Sequence, residues 1–100
     1  MRAVIQSIHF KADQKLKDYI IAKLDKLNKY YDGIVDAQVF LKLENNHSTS
    51  NKTVEFKINV HHSSIIKTQT AQSFEAATDL AMDALKVQIV KYKEKLQAVT

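Results

Sequence analysis

Along this chain, the spacing of apolar positions switches between two periods. Residues 2–10 alternate, with Val4, Ile8 and Phe10 on one side and Ile5, Ser7 and His9 on the other. Short alternation ahead of a helix start predicts a strand. Asp13 then offers a side-chain oxygen to the free amides of the turn that follows. From 14 to 31 the spacing lengthens: Leu16, Ile20, Leu24, Leu27 and Tyr31 stay within one stripe at ~100° per residue, which predicts an amphipathic helix. Gly33 lies just past the last periodic residue, where a left-handed glycine commonly ends a helix.

Alternation then returns. Val35, Ala37, Val39, Leu41 and Leu43 interleave with Asp36, Gln38, Phe40, Lys42 and Glu44, the pattern of a strand with one buried face. Val54, Phe56, Ile58 and Val60 repeat it against Glu55, Lys57 and Asn59. The polar run Asn45-Asn46-His47-Ser48-Thr49-Ser50-Asn51 between them predicts the turn of an antiparallel hairpin. A weaker strand over 65–71 follows the polar break His61-His62-Ser63-Ser64. Ser73 can cap a second helix over 74–97, whose stripe is Ala77, Ala81, Leu85, Ile89, Tyr92 and Leu96. The predicted order is β-α-β-β-β-α. One apolar face per strand and one stripe per helix require an α+β, two-layer arrangement, with both helices packed on one face of a four-stranded sheet.

Composition removes many function classes. The 100 residues suit a single domain, 1–100, and 45% hydrophobic content supports a folded core. A chain this short has one core and no room for a cleft between lobes. Without cysteine there is no disulfide framework, thiolate metal site or cysteine nucleophile, which suits a reducing cytoplasm. Proline is absent and Gly33 is the only glycine, so phosphate loops that need several glycines are excluded. No apolar run approaches the ~20 residues of a membrane span, and the N-terminal residues form no signal-peptide block.

The charge is +4, from 15 Lys+Arg against 11 Asp+Glu, and its placement says more than its total. In the first helix Asp18, Asp25 and Asp32 form an acidic stripe opposite the core, while Lys15, Lys23, Lys26 and Lys29 gather on a flank with Tyr19 and Tyr30. The second helix opens with Glu75, Asp79 and Asp83 and closes with Lys86, Lys91, Lys93 and Lys95 against Glu94 alone. Acids early and bases late also complement the helix dipole, which accounts for such polarity in any helix. The first helix gains little that way, because its basic flank runs lengthwise. If both basic flanks face one way, they form a positive stripe that meets RNA phosphates without base readout.

Other chemistry is weakly supported. His61 and His62 sit at a predicted strand end, where neighbours point to opposite faces and cannot share a metal. His9 has only Asp13 nearby and reads as a structural or surface histidine. Ser63-Ser64 lacks the glycine-bounded elbow of a serine nucleophile. Tyr19 and Tyr30 can stack on bases, or more simply close the edge of the core. No catalytic constellation emerges.

The runs Ile5-Gln6-Ser7-Ile8-His9-Phe10, Asp13, Leu16, Tyr19 and Ala22-Lys23-Leu24-Asp25-Lys26-Leu27-Asn28-Lys29-Tyr30 resemble the N-terminal half of the ribosome hibernation-promoting factors, which include the ribosome-associated inhibitor A proteins. Ser73-Phe74-Glu75-Ala76-Ala77-Thr78-Asp79 resembles that family's acid-aromatic-Ala-Ala-Ile-Asp helix start, and residues 83–96 resemble its Lys/Arg-rich continuation. The resemblance covers nearly the whole chain. It implies a non-enzymatic protein, without cofactor or metal, that binds the small ribosomal subunit and its rRNA in the channel between head and body. There it overlaps the mRNA and tRNA sites and holds ribosomes idle in starvation or stationary phase.

By position, Lys23 and Lys26 match basic sites of the family's first helix, and Lys91, Lys93 and Lys95 match those of its second. Lys29 and Lys86 complete the candidate rRNA-binding set. Ala84 and Val87 stand where the family usually has a base and typically an arginine, which leaves Lys91 and Lys95 charged on that face. The resemblance is to the family's short form, so the C-terminal domain by which long members pair ribosomes is not expected. The expected partners are idle or dimerised ribosomes, with no membrane and no small-molecule substrate, and a monomer off the ribosome.

Two other readings stay open. A general double-stranded RNA-binding module has a similar two-layer shape, but usually begins its last helix with lysines, where this chain has Ser73, Glu75 and Asp79. A protein-interaction domain using a strand edge or sheet face has the outward Phe40 as its only hint.

Overall fold

The computed structural model describes residues 1–44 and 49–99. Its elements are β1 (Arg2–Ile8), α1 (Gln14–Asn28), β2 (Ile34–Leu43), β3 (Lys52–Val60), β4 (Ser63–Ala71) and α2 (Phe74–Val99). The sheet order is β1-β2-β3-β4. β1 runs parallel to β2, while β2–β3 and β3–β4 are antiparallel. The six elements and their two layers agree with the α+β arrangement read from the periodicity.

Both helix starts are capped as the sequence predicts. Asp13 Oδ1 accepts from the Leu16 amide at 2.8 Å, and Ser73 Oγ accepts from the Ala76 amide at 3.0 Å. Each bond satisfies an amide that the helix itself leaves free. Between the layers, Ala37↔Ile58, Val39↔Phe56 and Leu41↔Val54 pair across β2 and β3. All six are fully buried beneath Ile20, Leu24, Leu85 and Ile89. Full burial of each larger side chain contributes roughly 1.5–3 kcal/mol.

Several details depart from simple periodicity. The buried side of β1 carries Ala3, Ile5 and Ser7, each half-covered, while Val4 and Ile8 are exposed. His9 turns the chain with φ +71°, so Phe10 leaves the alternation and its ring stacks on Phe74 at 4.8 Å. α1 stops at Asn28, earlier than residue 31, and the Lys29 amide closes the last turn on the Lys26 and Leu27 carbonyls. Gly33 does not adopt the left-handed conformation. It is glycine because the Tyr31 ring occupies the place of a Cβ.

In β2 a register shift between Ile34 and Asp36 buries Ile34 and turns Val35 outward at 59% exposure, the usual effect of a bulge. Of the polar turn predicted at 45–51, residues 45–48 lie outside the described residues; the Glu44 amide donates to the Asn51 carbonyl at 2.7 Å across its base. β4 begins at Ser63, two residues earlier than predicted, because the turn is His61-His62 alone, with His62 at φ +67°. Leu96 is exposed instead of completing the stripe. The 26-residue α2 is ~39 Å long at 1.5 Å per residue, whereas the nine-residue β3 spans ~31 Å, so the helix outruns the sheet. Tyr92 is the last anchored ring, meeting Tyr31 edge-on at 5.8 Å and donating its hydroxyl to the His61 carbonyl at 3.1 Å.

Candidate nucleic-acid interface

Packing both apolar stripes on one sheet face sets the flanks of the helices against each other. Tyr19, Lys23 and Lys26 follow one another at helical spacing along α1, with Tyr30 in the turn just past its end, and Asp79, Asp83 and Lys86 do so along α2. Between them runs a groove of about 180 Å³ lined by Lys23, Lys26, Leu27, Tyr30, Met82, Asp83 and Lys86. Its two ends differ in chemistry.

At the first end, Tyr19 Oη donates to Asp79 Oδ1 at 2.6 Å, and Lys23 Nζ lies 3.5 Å from the same oxygen. Lys23 also stands 5.2 Å from the Tyr19 ring centroid. The hydrogen bond to Asp79 is the main cause that pushes the Tyr19 phenol up to about 12, with burial and the negative charges of Asp79 and Glu75 adding to it. This end is a closed charge pair joining α1 to α2. At the second end, Lys86 Nζ sits 4.8 Å above the Tyr30 ring, and Lys26 lines the same groove. Buried Leu27 and Met82 floor it.

Of the seven lysines singled out from sequence, the groove gathers Lys23, Lys26 and Lys86. Lys93 is exposed, two turns beyond Lys86 on the same flank of α2. Lys91 borders an outward hollow with Lys86, Val87, Val90 and Glu94. Lys95 is exposed, and helical spacing sets it on the flank away from α1, with Ala84. Lys29 is exposed at the end of α1. Four lysines therefore share the groove side, and three lie elsewhere on the helix layer.

The sequence reads Asp79 as a dipole-complementing acid and as part of the family-like helix start, with no partner on α1; its bond to Tyr19 spans 60 positions. The available signal was that Asp79, Asp83 and Lys86 share a helical face, as do Tyr19, Lys23 and Tyr30. His61 and His62 also differ from expectation: they occupy the turn, and their ring centroids come within 3.8 Å instead of pointing to opposite faces. Among the described residues no cluster of three or more metal-ligating side chains forms. Phe40 is half-buried on the open sheet face, in a shallow hollow with Ile8, Lys42, Thr53, Glu55 and Thr68. No helix among the described residues is long and apolar enough to cross a membrane.

The fold and sequence have close counterparts. Two solved structures match the fold: the N-terminal domain of Thermus thermophilus Protein Y, with a TM-score of 0.79 and 22% identity over 92% of this chain and 99% of that one, and a ribosomal subunit interface protein from Coxiella burnetii, with a TM-score of 0.83 and 19% identity over 94% and 99%. At those identities the likeness is one of fold. In sequence, a Pseudomonas putida protein named ribosome hibernation promoting factor is 28% identical over 99 residues, 99% of this chain and 93% of its own. The Escherichia coli K12 protein of the same name is 33% identical over 84 residues, 84% of each chain. The family model described as Sigma 54 modulation protein / S30EA ribosomal protein matches residues 3–97, and with nearly every element inside that span the chain belongs to this family.

Proposed function

We propose that this chain is a ribosome hibernation factor: it binds rRNA of the small ribosomal subunit in the mRNA/tRNA channel and inhibits translation by occupying that space during starvation or stationary phase. The hibernation role is supported by the names of its relatives. One observation carries the contact surface: two helices converge so that Lys23, Lys26 and Lys86 line a single groove. The ammonium groups of Lys26 and Lys86, with Lys23 ion-paired to Asp79 beside them, suit a folded polyanion, whose phosphates are fixed in position and whose counterions are released on binding. The protein acts in the cytoplasm, on the ribosome, by steric exclusion and without catalysis.

Co-sedimentation with small subunits over a salt series tests this. Affinity falls with rising salt, with a log–log slope of roughly −0.7 to −0.9 for each phosphate contacted. Lys26→Glu combined with Lys86→Glu weakens binding more than Lys91→Glu combined with Lys95→Glu, since the second pair lies outside the groove. Salt-independent binding, or wild-type occupancy in the first double variant, overturns the reading.

A further inference from the structure

The second end of the groove has a composition that phosphate neutralisation alone does not require. Tyr30 is 40% exposed, and its ring faces an ammonium group. The other three tyrosines are half-buried and engaged elsewhere: Tyr19 donates to Asp79, while Tyr31 and Tyr92 meet edge-on. Lys86 covers the Tyr30 ring from the α2 side, on a side chain long enough to swing aside. Leu27 and Met82 give the groove an apolar floor, and Asp83 on the α2 wall is a pure hydrogen-bond acceptor. Lys23 is paired with Asp79, so Lys26 and Lys86 are the cations available here.

From this juxtaposition we propose that Tyr30, Lys26 and Lys86 form a subsite for one unpaired RNA nucleotide, with the base stacked on the Tyr30 ring and its phosphate held by the two lysines. The inference deepens the ribosomal reading and rests on it for the identity of the RNA. An aromatic face next to mobile cations accepts any base by stacking, and the ammonium that covers the empty ring becomes the phosphate's partner when the base arrives. Asp83 accepts from an exocyclic amine, so adenine, cytosine and guanine bind better than uracil. Bases inside a duplex are already paired and stacked, so their faces cannot reach Tyr30. The subsite therefore selects single-stranded segments.

The test uses the intact chain and short end-labelled oligoribonucleotides, followed by the fluorescence anisotropy of the label at low salt. The probes are a single strand rich in adenine, its uracil counterpart, the same length in duplex form, and an abasic strand. The adenine strand binds tightest. Tyr30→Leu weakens it about ten-fold, whereas Tyr30→Phe, which keeps the ring, restores affinity. Lys86→Met reduces the salt slope by about 0.7. Because Tyr30 is exposed, the urea midpoint of each variant checks that the fold persists. Equal affinity of the abasic and adenine strands, wild-type affinity in folded Tyr30→Leu, or no binding by the wild-type chain overturns the subsite. Failure of the wild-type chain to co-sediment with small subunits, alongside ring-dependent oligonucleotide binding, instead overturns the ribosomal reading and leaves the subsite standing.

Discussion

Replacing Tyr19 with Phe removes a single oxygen and keeps the ring, so it isolates the hydrogen bond that ties α1 to α2. That bond is 2.6 Å long and ends on a carboxylate, a class that contributes ~1.5–3 kcal/mol when shielded. The rise of the phenol from 10.0 to about 12 converts to ~2.7 kcal/mol at ~1.36 kcal/mol per unit. Water reaches Asp79, whose side chain is 50% exposed, and takes over part of the lost interaction, which lowers the expected cost to ~1 kcal/mol. Urea unfolding of the wild type, Tyr19→Phe, Asp79→Ala and the double variant measures the coupling directly. The pH dependence gives a second reading. Because the folded-state pKa is raised, the stabilisation is fully present below pH 10 and is lost as pH rises through about 12. A tyrosinate absorbance titration of the folded protein shows an ionisation near 12 that is missing in Tyr19→Phe. A coupling below about 0.3 kcal/mol, or a high-pH step that survives the substitution, refutes the assignment.

Thr78 is fully buried, and its hydroxyl has no partner among the described residues. Thr78→Val keeps the shape and removes the unsatisfied group, so the urea midpoint rises by the equivalent of ~1 kcal/mol; a fall shows that the hydroxyl is satisfied. Gly33→Ala normally gains a little by restricting the unfolded chain, but here the new methyl meets the Tyr31 ring and disturbs its contact with Tyr92. A net loss of ~1–3 kcal/mol is expected, and wild-type thermal stability in this variant contradicts that account.

Long, regular stripes were legible from sequence because burial imposes them directly. The α1 positions Leu16, Ile20, Leu24 and Leu27 are all buried, as are Ala77, Ala81, Leu85 and Ile89 in α2. Legibility failed where neighbouring apolar residues compete for one side of a strand. Val4 and Ile5 are equally hydrophobic, and only the register of β1 against β2, which sets Ile5 beside buried Val39 and Val4 beside exposed Gln38, decides which turns inward. Val35 fits the alternation perfectly and is still outside, because a bulge is a property of two strands and not of one. Leu96 keeps helical period beyond the point where there is sheet to cover it. At the interface the lysines were visible individually, but their distribution depends on how the helices pack. That packing assigns Lys23 to Asp79 and brings Lys86 over the Tyr30 ring.

β1 has one hydrogen-bonding neighbour, β2, and the two run parallel with α1 between them. A polypeptide made from its N-terminus thus releases its first strand long before a partner exists for it, and β1 waits until residues 34–43 have emerged. β2, β3 and β4 can then zip up by local reversals, but the part of the inner face beneath Leu85 and Ile89 stays open until α2 forms. Lys86 and Asp79 lie on α2, so the groove exists only once α2 packs beside α1. A partially synthesised chain carries the α1 lysines without the wall that faces them, and has no groove with which to engage the ribosome producing it.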